Sequence, residues 1–309
     1  ILTILGLSLN TEAQNKYLNI ATAGSYLRVG NGTFLPGAFA TSTSPKTITF
    51  RIMIPNGGAG NIGTFNKIMG KFAGSNSALG VGEYGISFGS GAVAHTDMRL
   101  VASYNNTTTG TGVAPTMTKT GNQDNNSRAT GVNDGNWHHF ALVLNDTDGK
   151  SRLYYDGKLI VTSTSTSAID MNNAGLTYIS FGASSTTAPL YSAFDDIRIW
   201  DSAFTSAQVN TDITTTIDST TAPTTSGLLA AYDFQGDTTA TITTIKEIKS
   251  GGTITSTFTQ GTSPTNTINT GSSDIIASTI WNGNSWSNGA PTNSIDAVIA
   301  GTYNVAADL

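Results

Sequence analysis

The chain has 309 residues, 38% hydrophobic and 11% charged, with a formal net charge of -5 and no cysteine. Charged residues stand at under half the usual share of about 25%, and the 15 lysines and arginines form no basic stripe, which argues against nucleic acid as a partner. Without cysteine there is no disulfide framework and no thiolate metal site. Glutamate occurs only as Glu12, Glu83 and Glu247, which disfavours a paired-glutamate active site and a helix-rich fold, since Glu, Lys and Arg normally fill exposed helix positions.

From the first residue, Ile1 to Leu9 is an apolar run of signal-peptide core length, too short to span a bilayer, followed by small residues at Thr11 and Ala13. It reads as the tail of a secretory signal (1–13) cleaved after Ala13, and implies export to the periplasm, outer surface or medium. The alternative is a first strand, because Leu5-Gly6-Leu7-Ser8-Leu9 alternates at period two. No other run reaches membrane-spanning length. Residues 14–235 then show short apolar alternations separated by Gly, Asn, Asp and Ser, the pattern of an antiparallel sandwich or barrel. Expected strands are Tyr26 to Val29, Thr47 to Ile54, Lys67 to Phe72, Tyr84 to Phe88 and Met98 to Tyr104. Trp137 to Leu144, Arg152 to Tyr155 and Lys158 to Val161 follow, the last two joined by Asp156-Gly157, which favours a tight hairpin because glycine takes positive φ without steric cost. Leu176 to Phe181, Asp195 to Trp200 and Leu228 to Phe234 complete the set. One helix is expected, Thr205 to Ile213, with Thr205 as N-cap and Val209 and Ile213 four residues apart on one face.

Beyond Phe234 the texture becomes Thr, Ser and Gly-rich, so 236–278 reads as an extended linker or loosely paired edge. A second β-rich module is expected over 279–309, and the ending Ala306-Ala307-Asp308-Leu309, directly after a strand-like run, implies that the protein continues.

Three segments together resemble the laminin-G-like, concanavalin-A-like jelly-roll family common in bacterial surface proteins. They are Asp134-Gly135-Asn136-Trp137-His138-His139-Phe140, Leu153-Tyr154-Tyr155-Asp156-Gly157-Lys158, and Phe194-Asp195-Asp196-Ile197-Arg198-Ile199-Trp200, followed by a closing strand from Gly227 to Phe234. The resemblance implies an all-β, two-sheet jelly-roll sandwich. It says less about function, since the same sandwich carries lectins, adhesion modules, spacers and some glycanases. The tail, from Trp281-Asn282-Gly283-Asn284-Ser285-Trp286 to Tyr303, is similar to a motif of large secreted proteins of gliding and marine Bacteroidetes, which implies export through the type IX secretion system.

Ile197 and Ile199 share the parity of Asp195, so period two aims Asp195 at the buried side while Asp196 and Arg198 face out. A buried carboxylate needs a cation or several donors. The resemblance implies a structural calcium ion held by Asp195 with backbone carbonyls near the start of the domain, for which Gly24, Asn31 and Gly32 are candidates; hard oxygen ligands suit calcium. The competing reading is that Asp195 caps neighbouring backbone N–H groups with no metal. Adjacent on a strand, His138 and His139 point to opposite faces and cannot share one metal, whereas Trp137 and His139 share a face. His95 with Asp97 lacks a nucleophile elbow. Glu83, alone or with Asp97, is a weak match to the two carboxylates that glycoside hydrolysis ordinarily uses.

Sugar recognition needs exposed aromatic faces beside amides. Tyr84, Tyr104 and Tyr191, with Asn105, Asn106, Asn172 and Asn173, are the loop-proximal candidates, against the plainer reading of solubilising loop composition. Ser202, Ser219 and Thr238 lie in three-residue matches to the Bacteroidetes O-glycan acceptor pattern. The combined expectation is a non-catalytic, secreted or cell-surface module that binds glycan or another surface molecule, met by secretion machinery during export. A ligand-free spacer and a polysaccharide-degrading enzyme or its accessory module are the rivals.

Overall fold

The structure, a computed structural model, describes residues 16–21, 25–29, 44–54, 67–71, 84–88, 100–104, 116–118, 135–163, 179–182, 190–237, 242, 244–251, 254–259, 267–270, 279–281 and 297–299. The expected signal tail, Gly24, Asn31, Gly32, Glu83, His95, Asp97, Asn105 and Thr238 lie outside these residues.

Most described residues belong to a jelly-roll sandwich of two antiparallel sheets. Sheet A contains β1 (Lys16–Ile20), β3 (Lys46–Met53), β8 (Trp137–Leu144), β9 (Arg152–Tyr155), β10 (Lys158–Thr162), β12 (Ser192–Trp200), β13 (Leu228–Tyr232) and β16 (Thr267–Thr270). Its order is β10-β9-β8-β3-β12-β1-β16, with β13 also on β12. Sheet B contains β2 (Tyr26–Val29), β4 (Lys67–Lys71), β5 (Tyr84–Phe88), β6 (Leu100–Tyr104), β7 (Thr116–Thr118), β11 (Ile179–Phe181), β14 (Thr244–Glu247) and β15 (Ile254–Thr259), in the order β14-β15-β2-β11-β4-β5-β6-β7. The β9–β10 hairpin turns on Asp156 and Gly157, whose φ values of 45° and 75° are the paired positive angles that a two-residue turn needs.

Alternation drives the assembly. Leu18, Phe50, Ile52, Phe140, Leu142, Leu153, Phe194, Ile197 and Ile199 of sheet A share one buried cluster with Leu27, Val29, Ile68, Met69, Ile86, Ile179 and Phe181 of sheet B. At its centre Phe50 stacks on Phe140 at 5.4 Å and meets Phe181 of the other sheet edge-on at 5.4 Å. Such aromatic pairs add about 0.5–1.5 kcal/mol beyond their burial.

Two features depart from the sequence expectation. The segment read as an extended linker or loosely paired edge supplies three strands, which lie at the edges of both sheets: β14 and β15 form a hairpin that extends sheet B through β2, and β16 pairs with β1 at the edge of sheet A. β14 alternates exposed Thr244 and Lys246 with buried Ile245 and Glu247, the pattern of a sandwich strand with one solvated face, and such strands look weak one at a time. β1 itself was not expected. The boundary near 279 fares differently: Asp274–Leu309 is a separate compact unit in which β17 (Thr279–Trp281) and β18 (Ala297–Ile299) pair in parallel.

The helix α1 (Ser206–Thr214) starts one residue inside the expected span. Thr205 is its N-cap, and Gln208 returns a bond to the Thr205 N–H at 2.9 Å, a complete capping box. Val209 is fully buried and joins Ala141, Val143, Tyr154, Trp200, Phe204, Leu228 and Ala231 in a second apolar cluster. Ala141, Val143 and Tyr154 alternate with core residues, so this cluster lies on the outer face of sheet A and α1 roofs part of that face. No helix among the described residues is long and apolar enough to cross a membrane.

Candidate functional site

Strand β12 carries the acidic pair singled out in the sequence, and its local geometry changes their roles. Pairing with β3 runs Phe194 to Ile52 and Asp195 to Arg51, then resumes at Arg198 to Thr49, so β12 holds one extra residue. Asp196 has φ 47°, a left-handed conformation that Asp tolerates better than most residues. The bulge sits where β12 changes partner on its other edge, from β1 at 192–194 to β13 at 197–200. It also inverts parity: Phe194 and Ile197 both face the core, and Asp195 falls opposite Arg51 on the outer face. Asp195 is buried at 1% exposure, as expected, but on the face opposite to the one that unbroken alternation indicates.

Arg198 is on the outer face as expected, yet it is only 2% exposed, because α1 covers it. Its Nη1 donates to both Asp212 Oδ1 and the Asp212 carbonyl at 3.0 Å, and its Nη2 donates to the Thr215 carbonyl at 2.7 Å. Arg51 Nη2 donates to the Ile213 carbonyl at 3.0 Å. The carbonyls that a helix C-terminus leaves unpaired are thereby satisfied by two guanidinium groups of the sheet. Asp196 Oδ2 lies 3.2 Å from both Arg51 Nε and Arg198 Nη2, and His139 Nε2 donates to Asp212 Oδ2 at 3.2 Å. Burial pushes Asp212 upward, but the His139 bond and the Arg198 charge outweigh it and hold the carboxyl below its ordinary value. This is a closed set of charges that docks a helix. Asp212, its centre, carried no sequence signal beyond its place in the helix.

Three other carboxylates among the described residues, Glu247, Asp156 and Asp237, have defined surroundings. Both oxygens of fully buried Glu247 accept backbone bonds, Oε1 from Ala231 (2.8 Å) and Lys249 (2.6 Å) and Oε2 from Ser250 (2.7 Å). Asp156 Oδ1 accepts from the His139 N–H at 2.7 Å, and Asp156 Oδ2 lies 2.7 Å from His138 Nδ1. His138 stacks on Tyr155 on the inner face, so the two histidines face opposite ways. Desolvation raises Asp237 to about 6, in the loop where Lys16 Nζ donates to the Gln235 and Asp237 carbonyls.

For the implied calcium, Asp195 is the one described member of the expected ligand set, and its Oδ1 accepts from the Asp196 N–H at 2.8 Å. Among the described residues no three His, Asp or Glu are grouped to hold a metal ion, and the Asp196 carboxylate is shared by two arginines. The described part of the site thus supplies one hard oxygen donor.

The tyrosines separate. Tyr84 is 0% exposed within the sandwich core, and burial pushes its phenol far above the ordinary value. A ring with no solvent-facing surface cannot stack on a sugar, so Tyr84 is a core residue; it follows Glu83 in sequence but begins the inward-facing set of β5. Tyr104 pairs with it at the end of β6, Tyr191 is half-buried beside β12, and Asn105 lies outside the described residues. Ser202 and Ser219 are exposed.

Residues 73–210 match the family model of the concanavalin A-like lectin/glucanases superfamily, in its laminin G-like form. No curated protein matches the chain. Among solved structures, a "putative carbohydrate binding protein" from Bacteroides ovatus is similar at 20% identity and TM-score 0.54, over 85% of this chain; the chain spans 61% of that structure. The CBM40 module of Ruminococcus gnavus IT-sialidase is similar at 10% identity and TM-score 0.42, over 63% of this chain and 96% of that one. The NanB sialidase of Streptococcus pneumoniae follows at 12% identity and TM-score 0.43, over 64% of this chain and 28% of that one. At these identities the first likeness speaks to fold.

Proposed function

We propose that this chain is a non-catalytic, glycan-binding jelly-roll module of a secreted or cell-surface protein. The observation that carries the reading is the match of residues 73–210 to the lectin and glucanase superfamily within a two-sheet sandwich. Of the two functions that superfamily name covers, binding is favoured by the chemistry of the carboxylates: Glu247 is spent on three backbone N–H groups and Asp212 on Arg198 and His139. A general acid needs a proton it can release at the substrate, and neither group is placed for that. The carbohydrate-binding name of the Bacteroides ovatus neighbour agrees with the reading. A glycan array probed with the folded chain tests it. Binding to a defined set of glycans is expected, and silence across a broad array would leave the spacer role instead.

The finer parts of the proposal stand on the sequence. Export is read from the signal-like tail at 1–13, and the type IX route from the tail motif at 281–303. Exposed Ser202 and Ser219, with Thr238, are the proposed O-glycan acceptors. Calcium at Asp195, with Gly24, Asn31 or Gly32, is proposed as a structural ion. EDTA should then lower the melting temperature, because an ion bound only by the native state stabilises it by mass action; an unchanged melting curve removes the ion from the reading.

A further inference from the structure

Outside the part covered by α1, the outer face of sheet A has a different chemistry. Strand register aligns Trp137, Met53, Ala193, Asn19 and Thr267 in one row across β8, β3, β12, β1 and β16. In the next row, Tyr17 pairs with Asn269. All alternate with core residues such as Leu18, Ile52, Phe194 and Ile268, so they share the outward face. Ala193 is buried, whereas Trp137, Met53, Asn19, Thr267, Tyr17 and Asn269 are each half-buried. Small Ala193 stands between the strands that carry the two large rings. Across it, Tyr17 and Trp137 meet edge to face, with centroids 5.2 Å apart and planes at 74°.

We infer that this face is a binding site for uncharged pyranose rings of a neutral polysaccharide, with Trp137 and Tyr17 as its platform. The inference rests on the glycan-binding reading above and gives it an address that neither the tyrosines chosen from sequence nor the family match supplies. Perpendicular rings present two faces at an angle, and the C–H face of a pyranose stacks on such a surface while its hydroxyls need amide or hydroxyl partners at the rim. Asn19, Thr267 and Asn269 supply that rim, and Thr267 Oγ1 donates to Asn269 Oδ1 at 2.6 Å, which orients the amide nitrogen away from the threonine. Neutrality follows from the charges nearby. Arg51 and Asp196 are paired with each other at 3.2 Å, and Asp195 is buried, so none of these described charges offers a carboxylated or sulfated sugar a free cation. Four interstrand steps of about 4.8 Å make the row about 19 Å long, a length that suits a chain of sugars better than a single ring.

Affinity electrophoresis of the full chain tests the site, using gels containing xyloglucan, mixed-linkage β-glucan, galactomannan or laminarin, with alginate and heparin as charged probes. The wild-type chain should be retarded by at least one neutral polysaccharide. Trp137→Ala should weaken that retardation roughly tenfold, as loss of a stacked ring implies. Tyr17→Phe, which keeps the ring, should retain it, and Asn269→Ala should weaken it less than Trp137→Ala. Melting curves of each variant separate lost binding from lost folding, and Asn269→Ala on the edge strand carries the test if Trp137→Ala unfolds. Retardation by a neutral polysaccharide that Trp137→Ala leaves unchanged overturns this site while the glycan reading stands. Retardation by alginate or heparin alone overturns the neutral assignment. A wild-type chain held by no polysaccharide, whose self-association is lost in Trp137→Ala, shows a face for a second copy and overturns both.

Discussion

On the inner face of β3 and β8, Phe50 and Phe140 stack 5.4 Å apart within the apolar cluster. On the outer face of the same two strands, Arg51 and His139 are also buried, but among Asp196, Asp212 and Arg198. The contrast separates two physical jobs. Apolar packing supplies stabilisation in proportion to area and is tolerant of orientation. A buried ionic set contributes less net energy, because desolvation offsets attraction, but it accepts only the arrangement in which every charge is paired. Here it receives the C-terminal carbonyls of α1, which an apolar surface could not satisfy.

The comparison can be broken by substitution. Phe50→Ala should cost the most, about 3–5 kcal/mol in chemical denaturation, through lost burial and the cavity left beside Phe140, Phe181 and Phe194. Arg198→Ala should cost about 3 kcal/mol because Asp212 is left charged and underpaired. If the ionic face orients more than it stabilises, replacing Arg198, Asp212 and His139 together with apolar residues of similar volume should recover most of that loss. A triple variant as unstable as Arg198→Ala would erase the distinction. Thr205→Ala should cost about 1 kcal/mol by removing the capping box, and the loss should be confined to α1 in hydrogen exchange.

The pH dependence of stability differs in sign between two carboxylates. Asp212 is depressed in the folded state, so its stabilisation is present above the unfolded value and is lost as pH falls through the folded one. Asp237 is raised from 3.8 to about 6, so its native form favours the proton and stability declines as pH rises through that interval. Asp237→Asn should flatten the stability profile over that interval and leave the acid limb unchanged; an unaltered profile would assign the decline to another group.

Much of the sandwich was legible before any coordinates. Strands such as Trp137–Leu144, the Asp156-Gly157 hairpin and the Thr205-capped helix rest on local signals: period-two alternation, positive φ and capping. Strands β14, β15 and β16 were legible only as a linker or loosely paired edge, because a Thr-rich strand differs little from a linker until a partner strand is known. Tyr84 was misplaced for a related reason. An aromatic beside a loop has no local mark that distinguishes a core ring from an exposed one, and only the packing of sheet B on sheet A decides it.

By itself, the order of residues determined which faces of the strands are apolar, where the hairpins turn and where the helix begins, because each depends on neighbours a few positions away. Only the tertiary structure decided which way Asp195 points, since one inserted residue in β12 reverses parity. It alone brought Asp212 to Arg198 and Tyr17 to Trp137, partners separated by 14 and 120 residues. Contacts of that kind arise from strand order and register, which a linear pattern does not encode.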